Sequence, residues 1–177
     1  MHPVAVLVML LAAAQPGAGV PAKVLNITSP VFKNGEIPGK YTCDGSNVSP
    51  PLAWSGASAA TKSFALVVTD PDAPDPKAPL TTWVHWVLYD IPANVTGLRE
   101  AVTGKGLPKG TREGVTDWGT PPYGGPCPPI GRHRYVHTLY ALDTTLGDLG
   151  TPTRAKLLTA MEGHVIQTAQ LIGTYEK

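Results

Sequence analysis

Proline and glycine set the terms on which this chain folds. Each occurs 19 times in 177 residues. Proline fixes φ and removes a backbone donor, so it interrupts helix interiors and central strands. The chain must therefore be built from short elements joined by many turns and by long, shaped loops. Such a composition can also mark disorder, but here apolar runs recur between the Pro-rich stretches, and hydrophobic residues make up 42% of the chain. That is enough to bury a core. At this length one domain with a real core is expected rather than two. Charged residues make up only 15% and the formal net charge is +1. No basic run occurs, and the aromatics are not interleaved with Lys or Arg. Nucleic acid is therefore not an expected partner.

Three segments carry the strongest strand signal. Ser63–Thr69 is short, apolar and rich in β-branched residues, and stops at Asp70-Pro71. Trp83–Ile91 is a second run of this kind, ended by Pro92, and Tyr135–Leu142 is a third. Val24–Ile27 reads as a first strand. Ser49–Trp54 is a stiff extended stretch, because a residue before proline is pushed toward β or polyproline geometry. A long loop is expected from Ala93 to about Ile130. The tail differs. Thr151-Pro152 resembles a helix start, and Leu157, Leu158, Met161, Val165, Ile166, Ala169 and Leu171-Ile172 recur at mostly helical spacing, with Gly173 placed to end the run. The expectation is a mostly β domain with one amphipathic helix at its C-terminus. Neither internal repeats nor an interdomain linker is visible.

Residues 1–22 stand apart. Val4–Ala14 is unbroken apolar sequence, too short to span a bilayer as a helix, and small residues follow up to Val20-Pro21-Ala22. This is the pattern of a secretory signal peptide, although the front end lacks Lys and Arg. The mature domain then runs over 23–177, in the periplasm or outside the cell, without a transmembrane anchor. In an oxidising compartment Cys43 and Cys127 can form a disulfide. It would stabilise the fold by roughly 4 kcal/mol on loop-closure grounds. Two separate buried thiols are the other reading.

Three stretches can carry chemistry. Asp70-Pro71-Asp72-Ala73-Pro74 places two carboxylates on a stiffened chain directly after a strand; a plain turn uses the same residues. His85 lies inside an apolar strand, where a satisfied core histidine is the ordinary outcome. Tyr123–Tyr135 is a Gly- and Pro-rich loop running into a strand that opens with His133 and Tyr135 on one face. That loop is hard to explain as structure alone, since Gly lets a ligand approach the backbone. A hydrolase holding a metal on two Asp and two His is a rival reading. Against it, no pair has the short helical spacing of known metal motifs, and no nucleophile elbow or cofactor motif is present.

Taken together, Asp70-Pro71-Asp72-Ala73-Pro74, then Trp83-Val84-His85-Trp86, then Gly125-Pro126-Cys127-Pro128-Pro129 and Gly131-Arg132-His133-Arg134-Tyr135 resemble the phosphatidylethanolamine-binding protein family, which includes the Raf kinase inhibitors. Tyr41–Gly45 and Ser49–Trp54 resemble its bacterial and archaeal branch. The likeness runs from about Leu25 to Tyr175. It implies two packed sheets with a C-terminal helix, and a pocket for phosphate-like anions such as a phospholipid headgroup. Carried over, the pocket walls are Asp70, Asp72, Trp83, His85, Gly125, Pro126, His133 and Tyr135. On this expectation the two histidines and Tyr135 hold the anion, the aspartates orient them or take the ligand's proton, and the Gly125 N–H adds a donor. Relatives that bind kinases carry a second His where this chain has Val84, and Pro where it has Cys127. Kinase regulation therefore does not carry over directly. Contact with a protease or kinase target remains the alternative function.

Overall fold

The strong apolar runs become the central strands of one sheet. The computed structural model describes residues 23–177; the expected leader over 1–22 lies outside them. Among the described residues the strands are β1 (Asn26–Thr28), β2 (Leu52–Ser55), β3 (Ser63–Asp70), β4 (Trp83–Pro92), β5 (Gly97–Leu98), β6 (Arg112–Glu113), β7 (Arg132–Leu142) and β8 (Val165–Glu176), with one α-helix, α1 (Arg154–Ala160). They form a five-stranded sheet in the order β6-β4-β3-β7-β8 and a three-stranded sheet in the order β1-β2-β5. Neighbours in both are antiparallel.

Burial explains this order. The strands β3 and β4, nearly continuous in apolar residues, are covered on both faces. One face packs Phe64, Leu66, Trp86, Leu88 and Leu139 against Ile27, Leu52 and Trp54 of the small sheet. The other packs Ala65, Val67, Val87 and Tyr89 against Leu157 of the helix and Met161 just past its end. Burying each such side chain stabilises the fold by about 1.5–3 kcal/mol.

The tail departs from expectation. The helix occupies only seven residues, capped by Thr153, whose side chain accepts from the Lys156 N–H. Gly163 then takes φ 77°, and residues 165–176 run antiparallel to β7 over its whole length. The expected long helix is therefore wrong beyond Met161. The segment Val165–Ile172 also reads with period two. Its Ala169 and Leu171 pack on the core while Thr168, Gln170 and Ile172 face out. In a run rich in β-branched residues, that period and the exposed edge of β7 win over the helical one. Among the described residues no helix is long and apolar enough to cross a membrane.

Candidate functional site

The site lies where β3 and β4 meet the start of β7. The carboxylate of Asp70 at the end of β3 is 4% exposed. Its Oδ2 is 2.7 Å from His133 Nδ1, and its Oδ1 accepts from the Asp72 N–H at 2.8 Å. The other ring nitrogen of His133, Nε2, lies 3.0 Å from the Ile130 carbonyl. Two acceptors therefore face the ring, and both contacts are hydrogen bonds only when both ring nitrogens carry a proton. Next to this pair, Asp72 takes a fork from Arg134. Oδ1 accepts from Nη2 at 2.6 Å and Oδ2 from Nε at 2.9 Å, with the Arg134 N–H also at 2.9 Å. Those bonds hold the Asp72 carboxyl below the usual carboxylate range, against a smaller opposing effect of burial.

His85 is a histidine of another kind. Its Nδ1 is 2.7 Å from the Gly124 carbonyl, which makes Nδ1 the protonated nitrogen. No hydrogen bond to Nε2 occurs among the described residues, so in the neutral ring Nε2 is an acceptor. Desolvation lowers the His85 pKa below its ordinary value near 6.5, opposed in part by the Gly124 bond. Tyr135 meets His85 edge-on, with ring centroids 5.1 Å apart. Its buried hydroxyl is approached loosely by the Cys127 backbone N–H but donates to no acceptor, and Nε1 of Trp83 has no hydrogen-bond partner. Burial raises the Tyr135 pKa well above its ordinary value, so the hydroxyl remains a donor. Two orphan donors and one free acceptor thus share this corner, and buried polar groups of this kind are normally satisfied.

Trp118 covers the corner. Its ring packs edge-on against His85 at 4.9 Å and against Trp83 at 5.6 Å, while 45% of the residue is exposed. The neighbouring Asp117 ties this loop to β4, accepting from the Val84 N–H at 2.8 Å and donating its own N–H to the Val84 carbonyl at 3.1 Å. Beside Trp118 opens a cavity of about 250 Å³ bordered by Cys43, Asn47, Tyr123, Gly124, Gly125 and Cys127 among others. Of the eight expected pocket residues, only Gly125 borders it.

The 123–127 loop is clamped to the 41–47 segment. The Cys43–Cys127 disulfide joins them, Cys43 N–H donates to the Pro126 carbonyl at 3.0 Å, and Tyr123 Oη donates to the Tyr41 carbonyl at 2.9 Å. Gly125 donates its N–H to Asn47 Oδ1 at 2.8 Å. A Cβ on Gly125 would fall 2.3 Å from the Tyr41 carbonyl oxygen. Gly125 is therefore required by this backbone approach, and its N–H is already used. That corrects the expectation that it would serve an anion. A Cβ on Gly124 would strike the Trp118 ring at 2.3 Å.

The eight expected residues thus come together, but in two roles. Asp70, Asp72, His133, Gly125 and Pro126 are occupied by protein partners; Trp83, His85 and Tyr135 retain unused polar atoms. Sequence reasoning missed Arg134, Trp118, Gly124 and Asn47. Arg134 was legible in part, since alternation puts it on the opposite face from His133 and Tyr135. Trp118 and Asn47 come from loops without periodicity. Among the described residues no group of three or more His, Cys, Asp or Glu is placed to hold a metal ion.

The fold and this cluster together define a class of small β-sheet proteins with a histidine-lined corner. The chain belongs to the phosphatidylethanolamine-binding protein family, whose profile matches residues 28–176. It is 48% identical over 155 residues to a UPF0098 protein of Methanothermobacter thermautotrophicus, covering 86% of this chain and 99% of that protein. Among solved structures it resembles a phosphatidylethanolamine-binding protein homolog from Chlamydia trachomatis, with a TM-score of 0.79 and 40% identity over 88% of this chain and 99% of that one. It also resembles YbcL of Escherichia coli, described as a member of the mammalian family, with a TM-score of 0.78 and 34% identity over 86% and 98% of the two chains.

Proposed function

We propose that this chain is an exported binding protein for phosphate-type anions, phospholipid headgroups among them, and not an enzyme. The observation that carries the reading is the pair of buried, unpartnered donors, Tyr135 Oη and Trp83 Nε1, beside the free Nε2 of His85. A phosphate monoester has a second pKa near 6. Its monoanion offers acceptor oxygens to Tyr135 and Trp83 and one P–OH to His85 Nε2. The neutral His85 thus accepts the ligand's proton, a task first expected of an aspartate. Asp70 and His133 stiffen the wall behind it. To reach His85 the ligand must displace the Trp118 ring. Export is supported by the apolar run over Val4–Ala14 and by the disulfide, a bond suited to an oxidising compartment.

Calorimetry of residues 23–177 with phosphoethanolamine, inorganic phosphate and sulfate at pH 6 and pH 8.5 tests this. Phosphate and phosphoethanolamine bind at pH 6 and weaken at pH 8.5, because the shared proton is lost. Sulfate, which carries no proton in this range, binds weakly at both. Equal affinity for all three at both pH values would refute the proton-sharing site.

A second reading, contact with a protein target such as a protease, draws on a surface groove of about 680 Å³ with Val31, Ile37, Pro38 and Tyr175 in its walls. It predicts a complex that survives His85→Ala and Tyr135→Phe.

A further inference from the structure

Trp118 is anchored by its backbone and loose by its side chain. The Thr116 N–H and Oγ1 both donate to the Thr120 carbonyl, at 3.0 and 2.8 Å, and the Gly119 N–H donates to the Thr116 carbonyl at 2.9 Å. The Trp118 N–H donates to Thr116 Oγ1 at 3.3 Å. Thr116 is buried, and Asp117 joins the turn to β4. The turn that bears the indole therefore cannot travel without breaking several bonds at once. The ring has no such ties. Among the described residues its Nε1 makes no hydrogen bond, and nearly half of the residue is exposed. Edge-on contacts to His85 and Trp83 hold it where it is. Contacts of that kind are modest in strength.

A second seat for the ring adjoins the first. The cavity of about 250 Å³ beside Trp118 is bordered by Gly124, whose carbonyl holds His85. Room of that size corresponds to roughly eight waters at about 30 Å³ each, enough for an indole. No charged side chain borders it, and Tyr123, Pro122 and the disulfide give it apolar walls. Those walls are fixed by the disulfide, by Tyr123 on the Tyr41 carbonyl and by Asn47 on the Gly125 N–H. Both seats touch Gly124, which has no side chain to bar the passage.

We propose that Trp118 is the gate of the anion site, its ring rotating on the fixed turn between the seat over His85 and the cavity beside it. The proposal rests on the anion-site reading above and says how that site is controlled. With the ring over His85, the residue is only 3% exposed and its Nε2 is closed to a ligand. With the ring in the cavity, Nε2 is uncovered while the Gly124 carbonyl still holds Nδ1. A side-chain rotation fits better than a loop opening, because the turn at 116–120 is bonded across itself and to β4, whereas the ring is not bonded at all. The edge-on contacts make the closed form the major one. Only the open form binds, so the apparent affinity is the intrinsic affinity reduced by the open fraction.

Acylation of the histidines by diethyl pyrocarbonate at pH 7, located by peptide mass spectrometry, tests the gate without any anion. Trp118→Ala removes the ring, and Thr120→Phe fills the cavity from its rim. Both positions are exposed, so neither change removes core packing. With the open form at about a tenth of the population or less, His85 should react about tenfold faster or more in Trp118→Ala. It should react more slowly than in the parent protein in Thr120→Phe. The exposed His164 should react alike in all three proteins, and the sealed His133 in none. Equal reactivity of His85 in all three would overturn the gate. Calorimetry with inorganic phosphate at pH 6 then separates the gate from the site it serves. Binding about tenfold tighter in Trp118→Ala and weaker in Thr120→Phe supports both. Equal phosphate affinity in all three proteins overturns the gate and leaves the anion site standing. If His85 reacts as expected but phosphate binds to none of them, the gate stands and the anion reading fails.

Discussion

Two histidines stand in the same corner of this fold and are held in opposite ways. His133 is sealed, with Nδ1 on Asp70, Nε2 on the Ile130 carbonyl and no exposed surface. His85 is held by one nitrogen only, on the Gly124 carbonyl, and its other nitrogen is unused. The walls behind them differ as well. His133 is fixed within the sheet by a carboxylate on the adjacent strand. His85 is fixed by a loop that is itself clamped by a disulfide and by bonds to residues 41–47. The sealed histidine contributes stability, and the half-held one keeps a ring nitrogen available, which the proposed anion site uses. Residue type alone does not separate them; the number of acceptors each ring faces does.

Variants on each wall can break or sharpen that comparison. The largest effect is expected from Cys43→Ser with Cys127→Ser, which frees a loop spanning 84 residues and should lower stability by about 4 kcal/mol in denaturant melts. Anion affinity should fall with it, because Gly124 no longer holds His85. Asp70→Ala comes next, at about 3 kcal/mol, since it leaves a buried imidazole without its partner. If His85→Ala proved equally destabilising, the contrast between the two rings would fail.

Acid titration adds a third test. His137 is fully buried, and burial lowers its pKa to about 4, opposed in part by its bond to the Tyr135 carbonyl. His85 is lowered in the same direction by the same cause. For a histidine depressed in the folded state, the unfolded chain binds more protons between the folded value and about 6.5. Stability is therefore full above pH 6.5 and falls as the pH drops toward 4. For His137 alone the loss is about 3 kcal/mol, read as a shift in melting midpoint that His137→Phe should flatten. Smallest is Arg134→Ala. Its bond to Asp72 is a fork, but the arginine side chain is 56% exposed, so the expected loss is about 1 kcal/mol.

The central sheet was legible because β3, β4 and the core of β7 are buried on both faces, and short, unbroken apolar runs rich in β-branched residues suit that environment. The last strand was not, because Leu157, Leu158, Met161, Val165, Ile166 and Ala169 satisfy a helical period by coincidence. Only pairing with β7 decides between the two. The site followed the same division. Its residues were carried over from the family resemblance of Asp-Pro-Asp, Trp-Val-His-Trp and Gly-Arg-His-Arg-Tyr, and in the fold those segments lie on neighbouring strands β3, β4 and β7. Their roles could not be read in the same way, because a role depends on partners that spacing does not reveal: the Ile130 carbonyl behind His133, the Gly124 carbonyl behind His85, and Asn47 on the Gly125 N–H. Trp118 was invisible for the same reason, since it reaches His85 from a loop held by Asp117.

The most direct test is a nitrogen-detected NMR titration of the histidine rings with inorganic phosphate at pH 6, using residues 23–177. The expected result is that Nε2 of His85 shifts as the site saturates while both nitrogens of His133 stay where they are. A shift centred on His133 with His85 unmoved would contradict the assignment of His85 as the ring that meets the anion.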